Sequence, residues 1–497
     1  MIQKIIVLGG GSAGFMAALA LKMKMPALAV LLIRSPDIGI IGVGEGSTPS
    51  LTHFLHSYLK VPPGQLFQIA QPTWKLGLKF LWGPLPYFYY SFFSPSIDGR
   101  MEPTQLKPNG FYCTGDIDYA DPVAARMVHD RAFQNKDGWP VFDQHYAYHL
   151  ENEKFVRYLE TVARGHGVEI VDATVAHVRQ DERGIAGLEL QSDALEAADL
   201  YVDCSGFNSL LLHKTLGEPF VSYNASLFCQ HAVIGGWDRQ EPEEQVIKPY
   251  TTCQTMDAGW AWQIEHESRI NRGYVYCADF ISDEEAEREF RASNPKLGPT
   301  RIVKFVSGRY ERAWVKNVVA IGNASGFVEP LEATALGAIA QQSRALCETL
   351  SRSEFHPRPT QVVLYNQLHE LYWDAIRNFL AIHYKYNTRL NTPFWQHCRE
   401  KTDLAGGAKI AEYYQENGPE GYWGPGLLAN PYDQFGVSGY FTLLAGMRVP
   451  FRRTYEPSAT EIERYNRNRA ILKQAALECM TVREVLAAVR SPKANIT

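Results

Sequence analysis

The run Lys4-Ile5-Ile6-Val7-Leu8 passes directly into Gly9-Gly10-Gly11-Ser12-Ala13-Gly14 and then into Phe15-Met16-Ala17-Ala18-Leu19-Ala20-Leu21-Lys22. That order predicts a buried strand, a glycine turn and a helix, the opening unit of an α/β fold built on a parallel sheet. Gly9 permits the tight turn, Gly11 lets the backbone approach a pyrophosphate, and Gly14 lets helix and strand pack closely. The free N–H groups of Ser12 and Ala13 at the helix start would face the phosphate charge. A dinucleotide site is therefore expected here. A plain strand-to-helix turn is the simpler use of the same glycines, and the flanking strand and helix argue against it.

The chain begins inside its first strand, and no later run is long and uncharged enough to span a bilayer, so a cytoplasmic-type protein with no membrane partner is expected. Its 497 residues, 45% hydrophobic and 12% aromatic, can bury a large core in two or three subdomains. The eight cysteines contain no C-x-x-C pair, which speaks against a metal site and against a disulfide framework. A net charge of -5 without a basic block gives no footprint for nucleic acid.

Ala27 to Ile33 reads as the second strand of the nucleotide fold, followed by the glycine-dense stretch Gly39-Ile40-Ile41-Gly42-Val43-Gly44-Glu45-Gly46. A ribose-binding acid is usual at the end of that strand, yet the chain has Arg34, which cannot accept a hydrogen bond. Adenosine is then held differently, or Arg34 stacks on the adenine. Asp199 to Gly206 and Val318 to Asn323 read as further strands of one parallel sheet. Residues from about 222 to 306 read as a strand-rich second layer, and helical patterns dominate from Thr334.

Six segments, in order, make the chain resemble the flavin-dependent halogenases of the tryptophan halogenase type. They are the N-terminal turn, Gly42-Val43-Gly44-Glu45 with Thr48-Pro49, Trp74 to Phe80, Asp203-Cys204-Ser205-Gly206-Phe207, Gly259 to Ile264, and Phe327 to Thr334. The resemblance implies an FAD-binding Rossmann-like flavin monooxygenase module over residues 1–345 and a mainly helical C-terminal subdomain over 346–497 that completes the substrate site. It implies FAD, used as FADH2, held by the glycine turn, Arg34, Gly44, Glu45, Gly322 and Leu331. Reduced flavin would come from a separate reductase, since no second glycine fingerprint is present. Halide would be oxidised to hypohalous acid, and a small electron-rich aromatic, indole or tryptophan-like, would be halogenated. The oligomeric state stays open, a homodimer among the options.

Trp74, Leu76, Leu78 and Phe80 alternate with Lys75, Gly77 and Lys79, so a single strand would carry both lysines on one face. Two ammonium groups facing a cavity repel each other and lose hydration, which lowers their pKa; an edge strand with two solvated lysines is the simpler reading. The resemblance assigns halogen delivery to the lysine at position 79. It makes Glu332 the base that takes the proton from the halogenated ring and puts the halide at the backbone of Thr334 and Ala335. The family's Ser-Thr-Gly reads Ala333-Thr334-Ala335 here, which touches the choice among halides. By itself, Glu332 reads equally as a first-turn acid favoured by the helix dipole.

Trp260, Trp262 and Ile264 match the family's W-x-W-x-I-P signature, with Glu265 in place of proline. They serve equally as one apolar strand face. Trp82, Tyr87, Phe88, Tyr89, Tyr90, Phe92 and Phe93, with Phe394, Trp395, Tyr422, Trp423, Tyr440 and Phe441, offer faces for a flat ring, though more than half should be core. Two other readings stand beside the halogenase. A flavin aromatic hydroxylase would add oxygen without needing halide, and a non-catalytic relative would bind flavin or an aromatic ligand without turnover.

Overall fold

The computed structural model describes residues 1–39, 44–93, 118–119, 121–240, 245–419, 424–430, 432–452 and 458–491. Gly42 and Val43 of the second glycine stretch, and Tyr422 and Trp423 among the aromatics, lie outside the described residues.

A six-stranded sheet runs in the order Glu169–Asp172, Ala29–Arg34, Lys4–Leu8, Leu200–Asp203, Val318–Ala320, Trp314–Val315. Its first four pairings are parallel and only the last is antiparallel. Strands covered on both faces need continuous apolar runs, and Ile5, Ile6 and Val7 are all fully buried. The fold is the α/β, Rossmann-like arrangement that the sequence predicts.

The glycine turn joins the central strand to the helix Ser12–Lys24. Gly9 has φ +128°, and a Cβ there would lie 2.2 Å from the Cys204 carbonyl oxygen; one on Gly14 would lie 1.8 Å from the Gly9 carbonyl oxygen. Gly11, by contrast, has no atom within 4 Å of its Cβ position. Two glycines are thus demanded by packing and one faces open space. Gly14→Ala must push helix and strand apart and is expected to cost about 2–3 kcal/mol in denaturant unfolding. Gly11→Ala should stay within about 0.5 kcal/mol of wild type while weakening the nucleotide expected at the turn. Equal stability of the two variants would contradict this division.

A second, seven-stranded sheet has the order Arg301–Lys304, His231–Asp238, Arg269–Tyr276, Gly259–Glu265, Thr251–Met256, Gly77–Leu81, Phe88–Ser91. Its pairings are antiparallel except Thr251–Met256 with Gly77–Leu81. The strand-rich layer therefore recruits two strands from well before residue 222. The stretch Trp74 to Phe80 is not one strand. Thr73–Lys75 pairs with Ala147–Leu150 in a separate sheet, whereas Gly77–Leu81 joins the seven-stranded one. Leu76 is the break, its N–H donating to Pro249 and its carbonyl accepting from Phe92.

Beyond Ala335 the chain is mainly helical, with a 28-residue helix Pro359–Tyr386. It does not form a free-standing unit. The last helix, Val482–Val489, buries Val482, Val485, Leu486 and Val489 in the same core as Ile5 and Phe15, and Met480–Thr481 pairs with Arg131–Lys136. Among the described residues, no helix is long and apolar enough to cross a membrane.

Candidate active site

Two loops meet where Gly46 approaches Ala333. One is Gly44-Glu45-Gly46, whose strand Glu45–Gly46 pairs with Ala147–Leu150. Gly44 has φ +133°, and a Cβ there would lie 2.5 Å from Asn271 Nδ2 and 2.6 Å from His266 Nε2, so the loop is pressed against polar side chains. Glu45 accepts from Asn152 Nδ2 at 2.9 Å, and burial raises its carboxyl pKa. The other loop runs Glu329-Pro330-Leu331-Glu332-Ala333-Thr334 into the helix Ala335–Arg352. Ala333 holds φ +55°, the left-handed conformation that turns the loop into the helix. Thr334 sits at the N-cap, but its side chain makes no capping hydrogen bond. The first N–H groups of a helix have no intrahelical acceptor, so Thr334 and Ala335 start a segment suited to an anion.

Between the loops lies Lys75. Its side chain is fully buried and its Nζ has no hydrogen-bond partner. A Cβ on Gly46 would stand 3.1 Å from Lys75 Nζ, 3.3 Å from Thr251 Oγ1 and 3.4 Å from Ala333 Cβ. Desolvation lowers the ammonium pKa to about 8, and the nearby Glu332 carboxylate offsets part of that. The Phe92 ring lies 5.3 Å from Nζ, but a buried ammonium without a hydrogen-bond acceptor is still costly, and groups perturbed in this way cluster at functional sites.

Lys79, predicted as the catalytic lysine, is elsewhere. Its Nζ lies 4.2 Å from the ring centre of Tyr87, 5.4 Å from Tyr89 and 5.9 Å from Tyr250. Burial and then Lys248 lower its pKa, with Asp130 and Asp118 opposing. The cation beside it is Lys248 and not Lys75, so the expected mutual repulsion of the two lysines is corrected. The cause is the break at Leu76, which sends the two lysines into different sheets.

Glu332 is buried, and its Oε1 lies 2.8 Å from His383 Nε2 near the end of the long helix. His383 is also fully buried, with ring centres of Phe80 at 5.2 Å, Phe379 at 5.3 Å and Trp82 at 6.2 Å. Trp82 Nε1 donates to the His383 carbonyl at 3.0 Å. The next residue, Tyr384, donates to Glu329 Oε1. Two neighbouring helix residues thus hold two carboxylates of one loop. Sequence reasoning missed His383, since nothing local ties a lone histidine to a glutamate 51 positions away.

Among the other predicted residues, Gly322, with φ +67°, donates its N–H to Gln342, and its Cβ position lies 3.0 Å from Ala13 Cβ. The two ends of the expected nucleotide site therefore touch. The carbonyl of buried Leu331 accepts from Cys253 Sγ. Arg34 is bound by Glu160 at 2.7 Å and Asp172 at 2.5 Å, 5.8 Å from the Phe15 ring centre, so two carboxylates fix its guanidinium. Trp260, Trp262 and Ile264 share the second core, and Trp260 Nε1 points at Glu329 Oε1, 3.3 Å away. Glu265, at the family's proline position, forms a buried ion pair with Arg239. Trp82, Phe88, Tyr89, Phe394, Trp395, Tyr440 and Phe441 are core residues. A cavity of about 950 Å³ lined by Phe207, Phe228, Phe305, Tyr310, Phe327 and His397 holds neither lysine nor Glu332 and is not the place where these groups meet.

Comparison with known proteins decides what this arrangement belongs to. The tryptophan halogenase family model matches residues 4–463. The chain belongs to the tryptophan halogenase family. This halogenase is 30% identical over 509 residues to the tryptophan 7-halogenase RebH of Lentzea aerocolonigenes, covering 93% of each chain. It is 32% identical to the 7-chloro-L-tryptophan 6-halogenase KtzR of Kutzneria sp., covering 84% of this chain and 86% of that one. The crystal structure of MibH, a lanthipeptide tryptophan 5-halogenase, superposes with a TM-score of 0.87 at 37% identity, covering 98% of this chain and 93% of that chain. The halogenase is a flavin-dependent enzyme that uses halide, as the family does.

Proposed function

We propose that this halogenase installs halogen on an indole ring, with Lys75 as the halogen-delivering side chain and Glu332 as the base. The observation that carries the reading is the fully buried Lys75 ammonium beside Glu332, an ammonium with no hydrogen-bond acceptor and with the Phe92 ring, 5.3 Å from Nζ, as a cation–π neighbour. A lysine with a pKa near 8 can hold hypohalous acid by hydrogen bonding or present free amine to it at neutral pH. Delivery from a fixed lysine aims the oxidant at one ring carbon, the part of the barrier that positioning removes. Glu332 then accepts the ring proton.

FAD is the flavin that the chain's residues fit. The open space at Gly11 and the free helix start at Ser12 and Ala13 suit a pyrophosphate, and the Gly44–Gly46 and Leu331–Ala335 loops would flank the ring system. Reduced flavin, when bound, supplies the two-electron oxidation of halide by dioxygen. Thr334 and Ala335 would hold the halide. Because no second glycine fingerprint is present, a separate reductase is the expected source of reduced flavin, and a homodimer is the assembly to test by sedimentation. RebH is a tryptophan halogenase, KtzR a 7-chloro-L-tryptophan halogenase and MibH a lanthipeptide tryptophan halogenase, so an indole, free or in a peptide, is the substrate class.

The test is incubation with an unrelated flavin reductase, NADH, FAD and bromide against indoles, free tryptophan and tryptophan peptides, read by mass. Brominated product that depends on FAD, and does not form with FMN, is expected. Oxygen added without bromide would instead identify a hydroxylase. Reduction of bound flavin by NADH or NADPH alone, without the reductase, would remove the separate partner from the reading.

A further inference from the structure

His383 carries chemistry that neither the family match nor the lysine assignment uses. Its Nδ1 lies 3.1 Å from the Phe379 carbonyl oxygen, which can only accept, so Nδ1 carries a hydrogen. Its Nε2 lies 2.8 Å from Glu332 Oε1. Two lone pairs do not approach to that distance in a buried site, so one further proton lies between them. The pair is either imidazolium with carboxylate or imidazole with carboxylic acid. One surrounding favours the first: Lys75, from the strand Thr73–Lys75, lies close enough to Glu332 for the two to attract as ammonium and carboxylate. Cys253 is also beside Glu332, and its thiol is pushed up by burial and stays neutral.

Glu329 supplies an internal contrast. It belongs to the same loop and is as buried as Glu332, but its partners are the neutral Tyr384 and Trp260, and burial raises its carboxyl to about 8. A carboxylic acid cannot take a ring proton. We propose that His383 is the positioning residue that keeps buried Glu332 ionised, and so able to accept the proton from the halogenated ring. This rests on the halogenase reading above. In the step it serves, the ring C–H bond breaks as the new carbon–halogen bond is completed. The proton goes to Glu332 and leaves as water with the hydroxide released from hypohalous acid, while the proton on His383 stays in place.

Two measurements test it. In the purified, flavin-free protein with ¹⁵N-histidine, His383 should show both ring nitrogens protonated at pH 7.5; an imidazole with one bare nitrogen overturns the proposal. The second measurement is single-turnover bromination by His383→Gln, supplied with chemically reduced flavin and compared with wild type at each pH. The variant should fall tenfold or more below wild type at pH 7 and recover to within about threefold near pH 9, with the half-saturating substrate concentration nearly unchanged. A deficit equal at all pH values would mean that His383 only packs, and would overturn the proposal. If His383→Gln does not fold, the nitrogen spectrum of the wild type decides alone. Failure of the halogenase reading looks different: wild type would give no brominated product while the histidine spectrum still reports imidazolium.

Discussion

Lys75→Met is expected to retain FAD and to consume oxygen with reduced flavin at the wild-type rate while giving less than about 1% of the halogenated product, a loss in the range of removing an essential positioned group. Hypohalous acid should then escape, and a scavenger in solution should become halogenated. The same variant should be more stable than wild type. Lys75 has a folded pKa of about 8, below its unfolded value, so between about pH 8 and 10 the unfolded chain binds more protons and stability rises with pH. Below that window the full penalty of burying the ammonium applies, up to about 3 kcal/mol at 1.36 kcal/mol per pKa unit. Methionine removes it, so the gain from Lys75→Met should be largest at neutral pH and fade toward pH 10. Lys79→Ala is the contrast: it removes a cation over Tyr87 and should leave most of the halogenated product. Loss of product in Lys79→Ala with retention in Lys75→Met would reverse the lysine assignment.

Glu332→Gln should lower product formation by about 10²–10³ while flavin binding is kept, because an amide preserves size and hydrogen bonding to His383 but accepts no proton. The defect should appear as a primary isotope effect when deuterium occupies the reacting ring carbon, since loss of that proton becomes rate-limiting. A Glu332→Gln enzyme with near-wild-type turnover and no isotope effect would mean that another group takes the proton. Together the two variants separate delivery of halogen from removal of hydrogen, which turnover alone cannot do.

The chain-local features were readable from the residues. Gly9, Gly11 and Gly14 stand between an apolar strand and a helix, and the demand for no Cβ at Gly14 comes from Gly9 within the same turn, whereas that at Gly9 comes from Cys204 at the end of a strand distant in sequence. The loop carrying Glu332 was legible because a helix start follows it at once. Which lysine lies beside Glu332 was not. Alternation from Trp74 to Phe80 is a local property and is consistent with one strand, but which sheet each half joins is set by partners far away in sequence: Ala147–Leu150 for Lys75 and Thr251–Met256 for Lys79. A break at Leu76 costs the pattern nothing, because Trp74, Leu76, Leu78 and Phe80 are fully buried either way. His383 was invisible for the same reason. Its role depends on the packing of the long helix against the Glu329–Glu332 loop, and hydrogen bonds between residues so distant in sequence exist only once the cores on either side have closed. Sequence by itself determined the strand–glycine turn–helix unit, the two-layer α/β plan and the position of the acidic loop before a helix, all of which follow from local periodicity and backbone freedom. The tertiary structure alone decided which lysine meets that acid, and which histidine holds it, because a charge is buried and paired only by what long-range packing brings beside it.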